Sequence, residues 1–145
     1  MQFTHYAYDF EVNQPIEAVF NKINDVAAWW STQLEGESKQ LHDHFTVRFG
    51  ETFYTIRVTT FHPYDKITWT VANSHMDGFE EADEWNGTRI HYRLHPTPTG
   101  TLVHMEHEGL IPGGVACFDI CEKGWNFYLK ESLVPYLSDK AGLPT

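Results

Sequence analysis

At 145 residues, 41% hydrophobic and 15% aromatic, the chain is long enough for a sizeable core and is expected to form a single domain over residues 1–145. Its 20 acidic residues against 10 basic ones give a formal net charge of -10, which repels phosphate backbones and anionic lipid and so argues against nucleic-acid and membrane-surface roles. No apolar run approaches a membrane span, the amino terminus shows no basic patch leading into an apolar stretch, and two cysteines four positions apart make no disulfide framework, so a reduced, cytoplasmic protein is expected.

Residues 3 to 12 alternate, with Tyr6, Tyr8, Phe10 and Val12 on one face, as a half-buried strand requires. Pro15 suits the first turn of a helix whose buried side is Ile16, Val19, Phe20 and Ile23, and Asn24-Asp25 can cap a second short helix carrying Val26, Trp29 and Trp30. From residue 43 the period returns to two. A Gly50-Glu51 turn places Phe49 opposite Thr52, Val47 opposite Tyr54 and Phe45 opposite Ile56, so apolar faces match across it. A four-residue loop at 62–65 puts Val58 opposite Trp69 and Ile56 opposite Val71. A third hairpin around 97–100 puts Leu94 opposite Val103, Tyr92 opposite Met105 and Ile90 opposite His107. Together these hairpins predict a meander of antiparallel strands. The segment from Asn73 to Thr88, with Asp77, Glu80, Glu81, Asp83 and Glu84, is expected to be a solvated loop; its carboxylates lack the fixed spacing of a hard-cation site.

From about Val115 to Leu137 a helical period places Phe118, Cys121, Trp125, Leu129, Ser132, Leu133 and Tyr136 in one stripe, with Glu122 and Cys117 on its flanks. Gly124 inside this helix costs about 1 kcal/mol relative to Ala, explained either by close approach of the sheet or by space left for a guest. Pro135 removes a backbone donor and is expected to kink the last turns.

Several stretches, weak singly but in consistent order, carry a family likeness: Phe10 to Phe20 with Pro15, Trp29-Trp30, Phe45 to Gly50, Ile67-Thr68-Trp69, Trp85-Asn86-Gly87-Thr88, Gly100-Thr101, His107 to Leu110, Gly124-Trp125 with Tyr128-Leu129, Ser132-Leu133 and Lys140 to Pro144. On these the chain resembles the START-like (birch-pollen-allergen-like, SRPBCC) superfamily, and within it the group named for the activator of heat-shock-protein-90 ATPase. The resemblance implies an α+β helix-grip fold, in which a curved antiparallel sheet wraps a long C-terminal helix around an apolar cavity. Members of the superfamily bind lipids, hormones or polyketides, and a few catalyse cyclisation or related steps.

On that fold the expected ligand-facing residues are Trp30, Val47, Tyr54, Ile56, Trp69, Tyr92, Met105, His107, Phe118, Glu122, Trp125 and Leu129. His107 is the titratable residue of most interest: it is expected inward at a strand end, either neutral and hydrogen-bonded or acting on a bound carbonyl compound together with Glu122. Cys117 and Cys121, at i and i+4, would need further metal ligands from the strands, His42-Asp43-His44 being the nearest donor cluster. They are expected to be small buried hydrophobes with no metal and no cofactor. The leading expectation is a binder of a small apolar or aromatic molecule, monomeric or homodimeric. A cyclase- or dehydratase-like enzyme using His107 and an inward Tyr is the alternative. A partner-binding module, with a chaperone as one candidate partner, is the third reading, through the 77–84 loop or an exposed Phe127.

Overall fold

The computed structural model describes residues 5–112 and 115–145. Seven antiparallel strands form one sheet in the order β1-β7-β6-β5-β4-β3-β2. They are β1 (Tyr6–Val12), β2 (Gln33–Gly36), β3 (His44–Phe49), β4 (Thr52–His62), β5 (Lys66–His75), β6 (Arg89–Pro96) and β7 (Thr101–Glu108). Helices α1 (Ile16–Ile23) and α2 (Val26–Trp29) follow β1. The C-terminal helix starts as α3 (Phe118–Asn126), continues as a π-helical segment (Phe127–Leu133) and ends as α4 (Val134–Leu137). This is the helix-grip α+β arrangement. No helix among the described residues is long and apolar enough to cross a membrane.

The period-two faces place the core as expected. Phe45, Val47, Ile56, Val58, Ile67, Trp69, Ile90, Tyr92, Leu94, Val103 and Met105 are all buried on the sheet face that meets the C-terminal helix. The pairs Val47–Tyr54, Val58–Trp69, Ile56–Val71, Tyr92–Met105 and Ile90–His107 are those the alternation requires. The β4–β5 turn departs from expectation. His62 pairs with Lys66, so the loop holds three residues rather than four, and the difference is absorbed by a bulge at Thr59. A second irregularity between Thr55 and Ile56 leaves Ala72 unpaired on β5. Extra residues on facing strands increase local twist, which helps the sheet close over the helix. Strand β2, which alternation did not reveal, pairs with β3 at the sheet edge. Asp25 precedes α2 without a side-chain capping bond; its carboxylate instead accepts from Tyr136 Oη at 2.5 Å.

The C-terminal helix begins at Phe118, three residues later than periodicity suggested, with Cys117 as its N-cap. Its buried apolar residues are Cys121, Trp125, Leu129, Leu133 and Leu137, a strict repeat of four. In an α-helix each step of four overshoots a turn by about 40°, so such a repeat would spiral away from the sheet. The π segment widens the turn and keeps the row facing inward; the Val134 N–H reaches the Leu129 carbonyl, five residues back. Tyr136, expected on the stripe, is consequently half-exposed and Leu137 takes its place. The widened turn immediately precedes Pro135, whose missing N–H and ring are poorly suited to an α-helix interior. Ser132, a polar residue in the buried row, donates to the Trp29 carbonyl at 2.6 Å and accepts from the Leu143 N–H at 2.7 Å. It thereby ties the helix to α2 and to the tail.

Two glycines report on packing in opposite senses. A Cβ at Gly100 would lie 2.0 Å from the Val12 carbonyl oxygen, whereas one at Gly124 meets nothing within 4 Å. Gly100→Ala is therefore expected to lower the urea unfolding midpoint, and Gly124→Ala to raise stability by up to about 1 kcal/mol. Equal effects of the two substitutions would contradict the packing described.

Candidate functional site

Gly124 faces open space because a pocket of about 450 Å³ lies beside α3. Rings supply most of its wall: Trp30 after α2, Phe49 and Tyr54 from the β3–β4 hairpin, Trp85 from the β5–β6 connection, and Trp125 and Tyr128 from the C-terminal helix. Met76, Phe79, Ile120 and Cys121 add apolar or sulfur surface, while Thr52, Asp77 and Thr145 are the polar members. Thr145 is held there by backbone bonds to both Trp30 and Thr32.

The rings are ordered. Tyr54 and Trp85 stack at 4.0 Å, Trp30 and Trp125 at 5.3 Å, and Trp85 and Trp125 lie 9° from parallel at 6.0 Å. Trp30 is in turn 6° from parallel with Trp69 at 5.9 Å, and Trp29 lies 16° from parallel with Trp69 at 6.5 Å. All five tryptophans of the chain thus belong to one near-parallel array, with the pocket at one end.

His107 sets this order. It is fully buried, and the Trp125 indole N–H donates to its Nδ1 at 3.0 Å. Indole nitrogen only donates, so Nδ1 is an acceptor and the proton of the neutral ring sits on Nε2. Nε2–H then donates to Thr88 Oγ1 at 2.9 Å, and the Thr88 hydroxyl donates to the Trp85 carbonyl at 2.6 Å. The Trp85 ring meets His107 edge-to-face at 4.5 Å. Burial pushes the imidazole down to about 3, with His5 and His91 adding to the effect. Both ring nitrogens are occupied, so His107 positions Trp125 and Trp85 and has no nitrogen free for a bound molecule.

Of the other residues expected to face a ligand, Trp30, Tyr54 and Trp125 line the pocket. Val47, Ile56, Trp69, Tyr92, Met105 and Leu129 face inward but lie in the solid part of the core, outside the pocket lining. Period two identifies the inner face without showing how far the helix fills it. Phe118 and Glu122 are half-exposed and do not line the pocket; Glu122 lies toward Tyr6 and helps hold that phenol up, secondary to burial. Sequence reasoning missed Phe49, Thr52, Ile120, Tyr128 and Thr145 in the lining, and a further group from the segment 76–88. It is acidic and mostly exposed at its surface positions, yet it buries Met76 and Trp85. Their spacing of nine follows no helical or strand period; the only sequence signal is a large apolar side chain at each end of an acidic run.

The Tyr54 hydroxyl, pushed up chiefly by burial, has no protein hydrogen-bond partner among the described residues, which leaves it able to orient a guest. His42 does not approach the cysteines; its Nδ1 lies 3.3 Å from an Arg57 nitrogen. Among the described residues no group of three or more His, Cys, Asp or Glu is placed to hold a metal.

A curved antiparallel sheet gripping one long helix, with a ring-walled pocket between them, defines a helix-grip protein of the START-like class. The chain belongs to the family described as Activator of Hsp90 ATPase homolog 1-like protein, whose model matches residues 13–138. Its fold is similar to that of protein MLL2253 from Mesorhizobium loti, at 18% identity and a TM-score of 0.73 over 92% of this chain and 96% of that one. It is also similar to the Aha1 dimer from Colwellia psychrerythraea, at 18% identity and a TM-score of 0.74 over 95% and 97%. CalU16 from Micromonospora echinospora is a third, at 16% identity and 0.65 over 90% and 72%. No curated protein matches the chain.

The depressed imidazole makes a signed prediction. Between pH about 6.5 and about 3 the unfolded chain binds a proton at His107 that the folded chain does not, so stability falls as pH falls through that window. This group's contribution to the slope is expected to approach about 1.4 kcal/mol per pH unit. Urea titrations should find His107→Gln less stable than the wild type at pH 7 but flatter below pH 6 by that amount. Parallel curves would refute the buried neutral imidazole.

Tyr92 makes a second. Its hydroxyl is buried with no partner among the described residues. Tyr92→Phe is therefore expected to leave thermal stability unchanged or raise it, because an unpaired buried hydroxyl costs about 1–3 kcal/mol. A marked drop in the melting midpoint would reveal a hydrogen bond that this geometry lacks.

Proposed function

We propose that the chain binds a small apolar or aromatic molecule, uncharged or positively charged, in the pocket between α3 and the β3–β4 hairpin. The ring wall carries this reading. At about 450 Å³ the pocket falls within the range of small-molecule sites, which are largely apolar with a few polar groups that fix orientation. Stacked indoles and phenols offer flat, polarizable faces to a flat guest, and Tyr54 and Thr52 offer hydroxyls. Asp77 in the lining and the net charge of -10 disfavour an anionic ligand. The reading takes residues 1–145 as one domain working in the cytoplasm.

Binding is favoured over catalysis because the imidazole of His107 is committed at both nitrogens to Trp125 and Thr88. A cyclase- or dehydratase-like reaction at this pocket would have to use Tyr54 or Asp77 instead.

N-phenyl-1-naphthylamine, a neutral aromatic fluorophore, provides the test. It is expected to bind saturably with one site per chain. Gly124→Leu, which projects a side chain into open pocket space, should weaken binding at least tenfold, about 1.4 kcal/mol, without loss of thermal stability. Undiminished binding by the stable Gly124→Leu protein would remove the pocket from consideration.

A further inference from the structure

Two ring orientations meet in the wall of the pocket. Trp30 and Tyr54 lie 8° from parallel at 6.2 Å, and Trp125 and Trp85 continue that near-parallel set. Phe49 is inclined to it, by 52° to Trp30 at 6.0 Å and by 60° to Tyr54 at 6.2 Å. Tyr128 follows Phe49 at 5.7 Å and 47°. All six rings belong to the lining. The near-parallel set suits a flat arm, whereas the inclined rings make a corner that suits a rounded head.

The charges around this corner have one sign. Asp77 carries the only charged side chain in the lining, and it makes no ion pair among the described residues. Its N–H donates to the Thr52 hydroxyl at 2.9 Å, which ties its backbone to the start of β4 at the pocket. Between Met76 and Thr88 the chain has five carboxylates and no Lys or Arg, so the segment that carries Trp85 is negative throughout.

We propose that the pocket selects an organic cation, a preference that rests on the small-molecule site proposed for this chain and narrows it. The guest has an alkylated ammonium head at the ring corner and an apolar or aromatic arm along the near-parallel rings. Indole, phenol and benzene rings present negative faces to a cation, indole most strongly, and the attraction grows where water is excluded. Alkyl groups on the nitrogen make the head rounded and weakly hydrated, so it leaves water more readily than a primary ammonium does. A primary ammonium has three protons to satisfy, and a wall made mostly of rings cannot accept them all. Asp77, exposed beside the pocket, supplies the opposite charge, and salt screens its pull. The same carboxylate and the negative segment around it repel an anion of equal size.

Phenyltrimethylammonium and its uncharged isostere tert-butylbenzene, titrated at low ionic strength while tryptophan emission is followed, test the preference. The cation is expected to bind about tenfold more tightly than the hydrocarbon. Asp77→Asn, a change at an exposed side chain, should weaken the cation about threefold and leave the hydrocarbon as it was. Phe49→Leu keeps an apolar side chain but removes the negative ring face, and should weaken the cation more than the hydrocarbon. Binding of tert-butylbenzene as tight as that of the cation, or an unchanged cation affinity in Asp77→Asn, would overturn the preference and leave the pocket standing. So would the absence of any response to the cation in protein that binds N-phenyl-1-naphthylamine. Protein that takes up none of the three molecules would lose pocket and preference together.

Discussion

The hydrogen bond from the Trp125 indole to His107 is the joint on which the pocket depends. It crosses from the C-terminal helix to the end of β7, and His107 then reaches through Thr88 to the backbone of Trp85. Breaking any member would strand donors in a fully buried setting, where an unmet donor costs far more than an average hydrogen bond gains. The same chain of bonds fixes the plane of one indole and the position of a second. That holds the rings parallel and keeps the space beside Gly124 from collapsing. A polar triad inside an aromatic wall thus does the work of shape. It allows the helix to carry a glycine that makes no contact with the sheet.

Much of the fold was legible because the faces of a strand are set by an integer period. Phe49, Val47 and Phe45 must oppose Thr52, Tyr54 and Ile56 if apolar faces are to match across the Gly50 turn, and they do. The bulge at Thr59 was not legible, since inserting one residue into β4 leaves the pairs of its central segment unchanged and shows only at the turn. Strand β2 escaped because Gln33–Gly36 is an edge with little buried surface and hence little alternation. The π segment was legible in principle. Cys121, Trp125, Leu129, Leu133 and Leu137 repeat every four residues, a period that an α-helix cannot keep on one side. Read at 3.6 residues per turn, the row predicts Tyr136 inside, and the structure buries Leu137 instead.

The site was less legible than the fold for a physical reason. Inward orientation follows from local period, but whether an inward side chain meets another side chain or empty space depends on how helix and sheet fit together. Val47, Ile56, Trp69, Tyr92, Met105 and Leu129 satisfy the first condition and lie outside the pocket. Trp85 and Met76 satisfy neither helical nor strand periodicity, because the segment that carries them takes its shape from what it covers. An acidic run with large apolar residues at both ends is better read as a flap with anchors than as a solvated loop. Gly124 was a local sign of space, and its two explanations separate only when a Cβ placed there is seen to touch nothing.

The near-parallel indoles have an optical consequence. Neighbouring members of the array lie within 6.5 Å of one another, from Trp29 deep under α2 to Trp85 at the pocket. At such spacings their electronic transitions couple and excitation migrates among them before emission. No tryptophan in this protein therefore absorbs or emits on its own. A molecule arriving in the pocket beside Trp85 is expected to alter the circular dichroism and emission of the whole set, so the unlabelled chain is a single antenna whose signal is gathered from the core and read out at the mouth.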